Sequence, residues 1–169
     1  METRLRTAGR HKSSTMPHNL NVVLVEPKIP VNTGSIGRLC LATGSVLHLI
    51  EPLGFEISDK QLKRAGLDYW KHVKVTRHKN IETFFESIPA DAPTVYFSTK
   101  AETSFFEHRF REGSYLFFGS ETQGLAEDLR KAHPRQTYRI PQYDERVRSL
   151  NLANAVSIVV YEAIRQLGS

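Results

Sequence analysis

The stretch Gly119-Ser-Glu-Thr-Gln-Gly124-Leu125 directly follows the apolar run Tyr115-Leu-Phe-Phe118. The apolar run predicts a buried strand, and the two glycines after it allow backbone angles that other residues avoid. Loops of this kind lie at the carboxyl ends of strands in α/β proteins, where small molecules bind. By itself the pattern fits a plain turn as well as a ligand loop. Within it, Glu121 is interpreted as a partner of Arg38, a ligand-binding group or an acid at a helix N-terminus.

Apolar runs and helical segments alternate along the rest of the chain. Strands are predicted at 20–25, 46–50, 73–76, 94–98, 115–118 and 137–140, and helices at 32–43, 58–64, 81–87, 125–132 and 151–167. This alternation is typical of a mostly parallel sheet flanked by helices, so we predict one α/β domain at residues 19–169. Residues 1–18 are basic and lack apolar periodicity, which predicts a disordered N-terminal arm. An expression remnant or a weak targeting segment are the alternatives for this arm.

The composition is that of an ordinary globular chain, with 40% hydrophobic and 24% charged residues among 169. The one cysteine, Cys40, cannot form an internal disulfide, which favours a reducing compartment and predicts a cytoplasmic protein. The longest apolar runs fall far short of the roughly 20 residues that cross a bilayer, so no membrane partner is expected. The seven histidines are scattered, and no pair has the spacing of a zinc site, so we predict no metal.

Basic residues concentrate in segment 60–79, which holds seven of them against one acid. Tyr69 and Trp70 lie in the same segment. This composition is typical of a nucleic-acid surface, where cations contact phosphates and rings stack on bases. The alternative is a solvated helix face followed by an edge strand that lysines protect. The residues predicted to bind RNA are Lys60, Lys63, Arg64 and Lys71.

Segment 30–38 contains a second group of residues suited to a site. Asn32 is placed to cap the helix that follows. Gly34 and Gly37 each cost that helix about 1 kcal/mol, which indicates the close approach of another group. Arg38 is interpreted either as a bidentate phosphate ligand or as a surface arginine.

A third such segment, 140–151, leads into the last predicted helix. Ser149 and Asn151 lie just before this helix, where they cap it or hold a substrate group. The helix itself is apolar on nearly all sides and must therefore be covered on several sides. Its residues Val156, Val159, Val160 and Ile164 are predicted to contact a second subunit.

The three segments share an order and spacing with a known family. The matching residues are Pro30-x-Asn32-x-Gly34-x-x-x-Arg38, Phe118-Gly119-x-Glu121-x-x-Gly124-Leu125, and Ile140-Pro141 followed by Ser149-x-Asn151-x-x-Asn154-Ala155-Val156. These resemble the three signature motifs of the SPOUT RNA methyltransferases. Ile50-Glu-Pro-Leu-Gly-Phe55 and Arg64-Ala-Gly-Leu-Asp-Tyr69 resemble the branch that 2′-O-methylates the wobble nucleotide of tRNA. The resemblance covers residues 20–168.

This resemblance implies a SPOUT fold whose C-terminal segment forms a deep trefoil knot. It also implies a homodimer that takes its methyl group from S-adenosylmethionine and acts on cytidine or modified uridine at position 34, in the anticodon stem-loop of tRNA. The implied donor-binding residues are Phe97, Gly119, Gly124, Ile140 and Ser149. The implied catalytic residues are Asn32, Arg38, Glu121, Ser149 and Asn151.

Arginine is a poor general base, because removing its proton at pH 7 costs roughly 7 kcal/mol. We therefore expect Arg38 to orient the 2′-hydroxyl and stabilise developing negative charge. The alternatives are methylation at another tRNA or rRNA site, a non-catalytic knotted RNA-binding dimer, and an α/β enzyme that uses a nicotinamide or phosphate cofactor. The absence of a Gly-x-Gly-x-x-Gly motif after the first strand disfavours the last of these.

Overall fold

Six parallel strands form one sheet in the computed structural model, which describes residues 18–58, 60 and 68–168. The strands are β1 Asn21–Val25, β2 Val46–Ile50, β3 Val75–His78, β4 Thr94–Phe97, β5 Tyr115–Phe118 and β6 Thr137–Tyr138. Their spatial order is β3-β2-β1-β5-β4-β6, and each neighbouring pair is parallel. The predicted mostly parallel α/β sheet is therefore confirmed.

Helices cover both faces of this sheet. They are α1 Pro30–Thr43, α2 Ile81–Ser87, α3 Glu127–Ala132 and α4 Leu152–Leu167, with short 3₁₀ helices at Asp68–His72, Phe105–Glu107 and Pro134–Gln136. Gly44 ends α1 in the left-handed conformation, with φ 71°, as predicted. Across the part of the chain that the structure describes, the helices are all too short or too polar to span a bilayer.

Side chains that alternate along the strands divide the core into two clusters. Val22 and Leu24 of β1 face α1 and α4, where Ile36 and Val160 are fully buried. Val23 faces the other side, toward an aromatic cluster whose buried rings are Phe84, Tyr96 and Phe117. This period of two along each strand places apolar side chains on both faces of a parallel sheet.

The element boundaries differ from the predictions in a few places. Helix α1 begins at Pro30 rather than at residue 32, because proline fits the first helical position, where no amide hydrogen bond is lost. Strand β3 begins at Val75 rather than at residue 73, since the amide of Val73 closes a turn onto Trp70. The predicted helix at 58–64 falls mostly outside the described residues. His18, assigned to the arm, lies buried in the body and bonds to the carbonyl of Thr43.

The prediction for the last helix is wrong in its choice of residues. Val156, Val159 and Val160 are fully buried within the protomer, because α4 packs against α1 and the sheet. Ile164 is partly buried against the same cluster. The apolar side chains that α4 leaves in solvent are Ile158, 40% exposed, and Tyr161, 56% exposed.

Candidate active site

The carboxyl ends of the parallel strands bring the three predicted segments to one edge of the sheet. Segment 26–29 follows β1, segment 119–126 follows β5, and segment 139–151 follows β6. The chain runs outward from β1 through β2 to β3, then crosses to the other side of β5. The edge between β1 and β5 is therefore the switch point at which open α/β sheets form their ligand crevices.

The carboxylate of Glu121 joins the loop after β5 to the segment before α1. Its Oε2 accepts from the backbone N–H of Lys28 at 2.8 Å, and its Oε1 accepts from that of Ile29 at 3.0 Å. Both amides lie at the N-terminus of α1, where the helix dipole favours an acid. Among the ion pairs of the described residues, Glu121 has none with Arg38, so of the three alternatives for Glu121 the structure does not show the pairing with Arg38. Glu121 is a helix N-terminal acid, but for α1 rather than for the helix that follows it in sequence.

Asn32 joins this carboxylate to the third segment. Its Nδ2 donates to Oε1 of Glu121 at 3.4 Å, and its Oδ1 accepts from Nδ2 of Asn151 at 3.0 Å. Asn32 is 7% exposed and lies inside the first turn of α1, so the prediction that it caps this helix is wrong. Asn151 does cap α4, since its Oδ1 accepts from the amide of Asn154 at 3.2 Å. One hydrogen-bonded chain therefore connects all three predicted segments.

The loop after β5 is a tight turn. The amide of Gly124 donates to the carbonyl of Ser120 at 2.9 Å, and Gly124 has φ 66°. A Cβ on Gly119 would lie 1.9 Å from the backbone carbon of Gly124, so only glycine fits there. The group that packs closely on Gly119 is thus the protein's own backbone.

Arg38 lies exposed on α1 and contacts an aromatic ring. Its guanidinium carbon is 5.8 Å from the centroid of the Tyr69 ring, within the range of a cation–π interaction. Tyr69 also donates its hydroxyl proton to the carbonyl of Gly34 at 3.2 Å. An open cleft of about 510 Å³ adjoins the pair and is lined by Arg38, Leu41, Ala42, Asp68 and Tyr69.

Trp70 explains the second costly glycine of α1. A Cβ on Gly37 would lie 2.3 Å from the indole ring, so Gly37 is the surface on which Trp70 packs. From the sequence, the aromatic rings of this segment are predicted to stack on RNA bases. That interpretation misses the contacts of Tyr69 with Gly34 and of Trp70 with Gly37. The sequence does contain a signal for these contacts. Helix α1 has two glycines one turn apart, and segment 60–79 has two adjacent aromatic residues.

Three of the predicted donor-binding residues lie on the β4–β6 side of the site, whereas Gly119 and Gly124 lie in the loop after β5. Phe97 ends β4 and stacks on Phe118 with ring centroids 4.9 Å apart. Ile140 lines a cleft of about 280 Å³, together with Thr99, Arg139, Gln142, Asp144, Glu145, Val147 and Arg148. Ser149 is exposed in the loop that leads from this cleft to α4.

The described residues of basic segment 60–79 differ in their surroundings: some lysines are exposed, and one arginine forms an ion pair. Lys60 and Lys71 are exposed, whereas Lys63 and Arg64 lie outside the described residues. Arg77 lies on the edge strand β3 and pairs with Glu51, so part of this segment is an edge strand, as in the alternative of an edge that lysines protect. Over residues 18–58, 60 and 68–168, no three His, Cys, Asp or Glu side chains are grouped to hold a metal ion, and the no-metal expectation stays a prediction.

Comparison with known proteins identifies the family. The model of the SpoU rRNA methylase family matches residues 19–161. The tRNA (cytidine(34)-2′-O)-methyltransferase of Escherichia coli K12 is 50% identical over 152 residues, which cover 88% of this chain and 94% of that protein. A solved structure described as "Structural insights into the 2-OH methylation of C/U34 on tRNA" has a TM-score of 0.83 and 49% identity, and covers 90% of this chain and 98% of that chain.

A more distant solved structure holds the methyl donor. It is an AdoMet-bound rRNA methyltransferase from Sinorhizobium meliloti, with a TM-score of 0.76 and 27% identity, covering 89% of this chain and 57% of that chain. Together with the parallel sheet and the three joined segments, these matches extend over nearly the whole described body. The chain belongs to the SpoU rRNA methylase family.

Proposed function

We infer that this protein transfers a methyl group from S-adenosylmethionine to the ribose 2′-oxygen of nucleotide 34 of tRNA, a cytidine or a modified uridine. The observation that carries the inference is the 50% identity with the Escherichia coli tRNA (cytidine(34)-2′-O)-methyltransferase over 88% of the chain. The cytoplasm is the proposed place of the reaction, because its substrate is tRNA.

The residues around Ile140 fit the methyl donor. Ile140 and Val147 offer apolar surface to an adenine ring, while Arg139 and Glu145 offer charges to a carboxylate and an ammonium group. When bound, S-adenosylmethionine supplies a methyl group that its sulfonium already activates. We propose that Phe97, Gly119, Gly124, Ile140 and Ser149 form its binding site, with the first three fixing the shape of the strand ends. No metal is required in this proposal.

The substrate side is formed by Arg38 and the hydrogen-bonded chain beside it. Arg38 orients the 2′-hydroxyl and the adjacent phosphate and stabilises the charge that develops on the oxygen. Glu121, Asn32 and Asn151 hold the start of α1 and the start of α4 at a fixed separation. Ser149 lies next to this chain and contacts the ribose. These roles are proposals that rest on the motifs and on the bonds described above.

Basic residues in and before the 3₁₀ helix at Asp68–His72 form the proposed track for the anticodon stem-loop. Lys60 and Lys71 are exposed, and Lys63 and Arg64 belong to the same proposed set.

We also propose a homodimer and a C-terminal knot. Support for the knot is that Arg139, just after β6, bonds to Thr103 and Phe105, so this segment lies against the connection between β4 and β5.

Methylation of purified tRNA tests the function directly. The protein is incubated with S-adenosylmethionine and tRNA, and the digested nucleosides are identified by mass spectrometry. We expect 2′-O-methylation at position 34 alone. A methyl group on a base atom, a ribose methyl only outside the anticodon loop, or tRNA binding without methyl transfer would contradict the inference.

The Arg38→Ala variant tests the proposed catalytic role. It should abolish turnover while leaving the calorimetric affinity for S-adenosylmethionine within about twofold, because Arg38 faces the ribose rather than the donor. The matched control is Arg135→Ala, since this exposed arginine precedes β6 at the opposite edge of the sheet. A control variant that loses turnover equally would remove the assignment to Arg38.

The salt dependence of tRNA binding tests the RNA track. Each lysine that contacts a phosphate releases counterions, so Lys60→Ala and Lys71→Ala should each reduce the slope of log K against log salt by about 1. The control is Lys131→Ala, because Lys131 pairs with Glu127 on α3. If the slope of log K against log salt were the same in all three variants, segment 60–79 would be a solvated face rather than an RNA-binding surface.

A further inference from the structure

Arg38 contacts Tyr69, a residue that lies outside the three signature motifs. It is an exposed arginine on α1, and an arginine side chain in solvent samples many rotamers. Its guanidinium nevertheless lies over the ring of Tyr69, 5.8 Å from the centroid. A guanidinium in this position is attracted by the negative face of the ring.

The Tyr69 ring is itself fixed to α1. Its hydroxyl donates to the carbonyl of Gly34 at 3.2 Å, and in a regular helix the amide of Arg38 donates to this same carbonyl. The next residue, Trp70, packs directly on Gly37 of the same helix. Two adjacent aromatic residues therefore bracket the helical turn that carries Arg38.

The chemistry of the phenol supports this arrangement. Burial raises the pKa of Tyr69 above its ordinary value of 10, and the nearby Arg38 charge offsets part of this rise. The hydroxyl therefore stays protonated at neutral pH and remains a donor to Gly34. Asp68 lines the same open cleft as this pair.

We propose that Tyr69 is a positioning residue, which holds the guanidinium of Arg38 at the cleft where the ribose and phosphate of the target nucleotide bind. This proposal rests on the function proposed above, because it concerns the same arginine. Pre-orientation of a group that contacts the reacting oxygen raises kcat rather than affinity for the methyl donor.

The first test reads the geometry without any substrate. In ¹⁵N-labelled full-length protein, the Arg38 Nε–Hε resonance is assigned by its loss in Arg38→Lys. We expect ring-current shielding to shift this resonance upfield in the wild type and in Tyr69→Phe. In Tyr69→Leu the ring is absent, so the upfield shift should be lost. Phe106→Leu is the matched control, since Phe106 is 61% exposed and lies far along the chain, and it should leave the resonance in place. An Arg38 resonance that stays put in Tyr69→Leu would overturn the proposal.

The second test reads turnover in the same variants. Tyr69→Leu should lower kcat about threefold to thirtyfold, the range expected for losing one cation–π contact, with KM for S-adenosylmethionine unchanged. Tyr69→Phe keeps the ring and should restore most of this loss. Equal losses in Tyr69→Phe and Tyr69→Leu would show that the hydroxyl rather than the ring acts, and would overturn the proposal.

Failure of the proposed function gives a different result. In that case the wild type transfers no methyl group to tRNA, while the shielding of Arg38 and its dependence on the ring at position 69 remain measurable. If instead the wild type is active and Tyr69→Leu keeps the full kcat, Tyr69 has no positioning role. The melting temperature of each variant is measured alongside, and a Tyr69→Leu defect that Tyr69→Phe does not repair counts against the proposal.

Discussion

At the residue scale, one carboxylate determines how the segments of the site meet. Glu121 accepts two backbone N–H groups from the loop before α1 and one side-chain amide from Asn32. Carboxylates accept such bonds more strongly than neutral oxygens do, and the N-terminus of a helix favours them further. The alignment of α1, and of Arg38 with it, therefore depends on a residue that follows β5.

The Glu121→Gln variant measures this dependence. Glutamine presents one oxygen and one NH₂ group, so at least one of the three donors loses its acceptor. We expect the free energy of unfolding in urea to fall by about 1–2 kcal/mol. Glu127→Gln is the matched control, since Glu127 forms an exposed i,i+4 pair with Lys131 and should cost less than about 0.5 kcal/mol. Equal costs for the two variants would show that Glu121 is only a surface acid.

The residues that join the three segments stand out in the sequence, but their bonding partners were not predictable from it. Asn32, Glu121 and Asn151 stand out by residue type and by their place at the ends of apolar runs. Their mutual bonds join positions about 90 to 120 residues apart, and local periodicity carries no information on such distances. This is why the sequence predicts a cap at Asn32 and leaves three alternatives for Glu121, although both side chains bond to residues of other segments.

At the scale of elements, the 3₁₀ helix at Asp68–His72 packs on α1 through a ring and a glycine. The indole of Trp70 occupies the space that a side chain at position 37 would need. Trp70 is the chain's one tryptophan, so the tryptophan fluorescence of the protein reports on the surroundings of this ring. This contact also explains why glycine, which has a low helix propensity, is found at position 37 of α1.

The Gly37→Ala variant separates packing from helix propensity. Propensity alone favours alanine in a helix by about 1 kcal/mol. A Cβ 2.3 Å from the indole forces Trp70 to move, so we expect instead a loss of about 1–3 kcal/mol and a red-shifted emission. Ser35→Ala, at an exposed position of the same helix, is the control and should leave the emission unchanged. A stabilised Gly37→Ala protein would contradict the contact.

Two buried histidines, one on β2 and one on β3, lie next to each other, and the one on β2 contacts an asparagine of β1. His48 Nδ1 lies 3.1 Å from His78 Nε2, and His48 Nε2 lies 3.0 Å from Oδ1 of Asn21. The rings of Phe84 and Tyr115 pack against His48. Burial, helped by His78, lowers the pKa of His48 from 6.5 to about 4. Burial also lowers the pKa of His78.

This pair predicts a loss of stability in acid. Between pH 6.5 and about 4 the unfolded chain protonates His48, whereas the folded chain does not. The stabilisation is therefore complete above pH 6.5 and is lost as the pH falls toward 4, by about 3 kcal/mol in total. Urea unfolding at a series of pH values measures it. His48→Gln should remove most of this pH dependence, and His72→Gln, at an exposed position, should retain it. An unchanged profile in His48→Gln would contradict the assignment.

At the scale of the whole molecule, the alternation of apolar strands with helices sufficed to predict the parallel sheet. The spatial order of the strands was not predictable, since β5 lies between β1 and β4 only because the chain crosses over after β3. The apolar character of α4 was predictable too. Which of its sides faces solvent depends on how α1 packs against it, and that packing buries Val156, Val159 and Val160.

The side chains that this packing leaves exposed define the proposed dimer interface. Val31 at the start of α1 is 75% exposed, and Ile158 on α4 is 40% exposed. Exposed apolar residues on two helices in contact are typical of a subunit interface. Because Val31 is followed by Asn32, an interface here would adjoin the proposed site, and we propose that the second subunit contributes to it.

Charge at these positions tests the assembly. An arginine in the interface would be buried without a partner, so Val31→Arg and Ile158→Arg should each shift the protein to a monomer by light scattering at micromolar concentration. Phe106→Arg is the control, since Phe106 is 61% exposed on the connection between β4 and β5, and it should remain dimeric. The monomers should stay folded, because the core residues of α4 are buried within the protomer, yet lose tRNA methylation. A wild type that scatters as a monomer, or a fully active monomeric variant, would show that one chain forms the site alone.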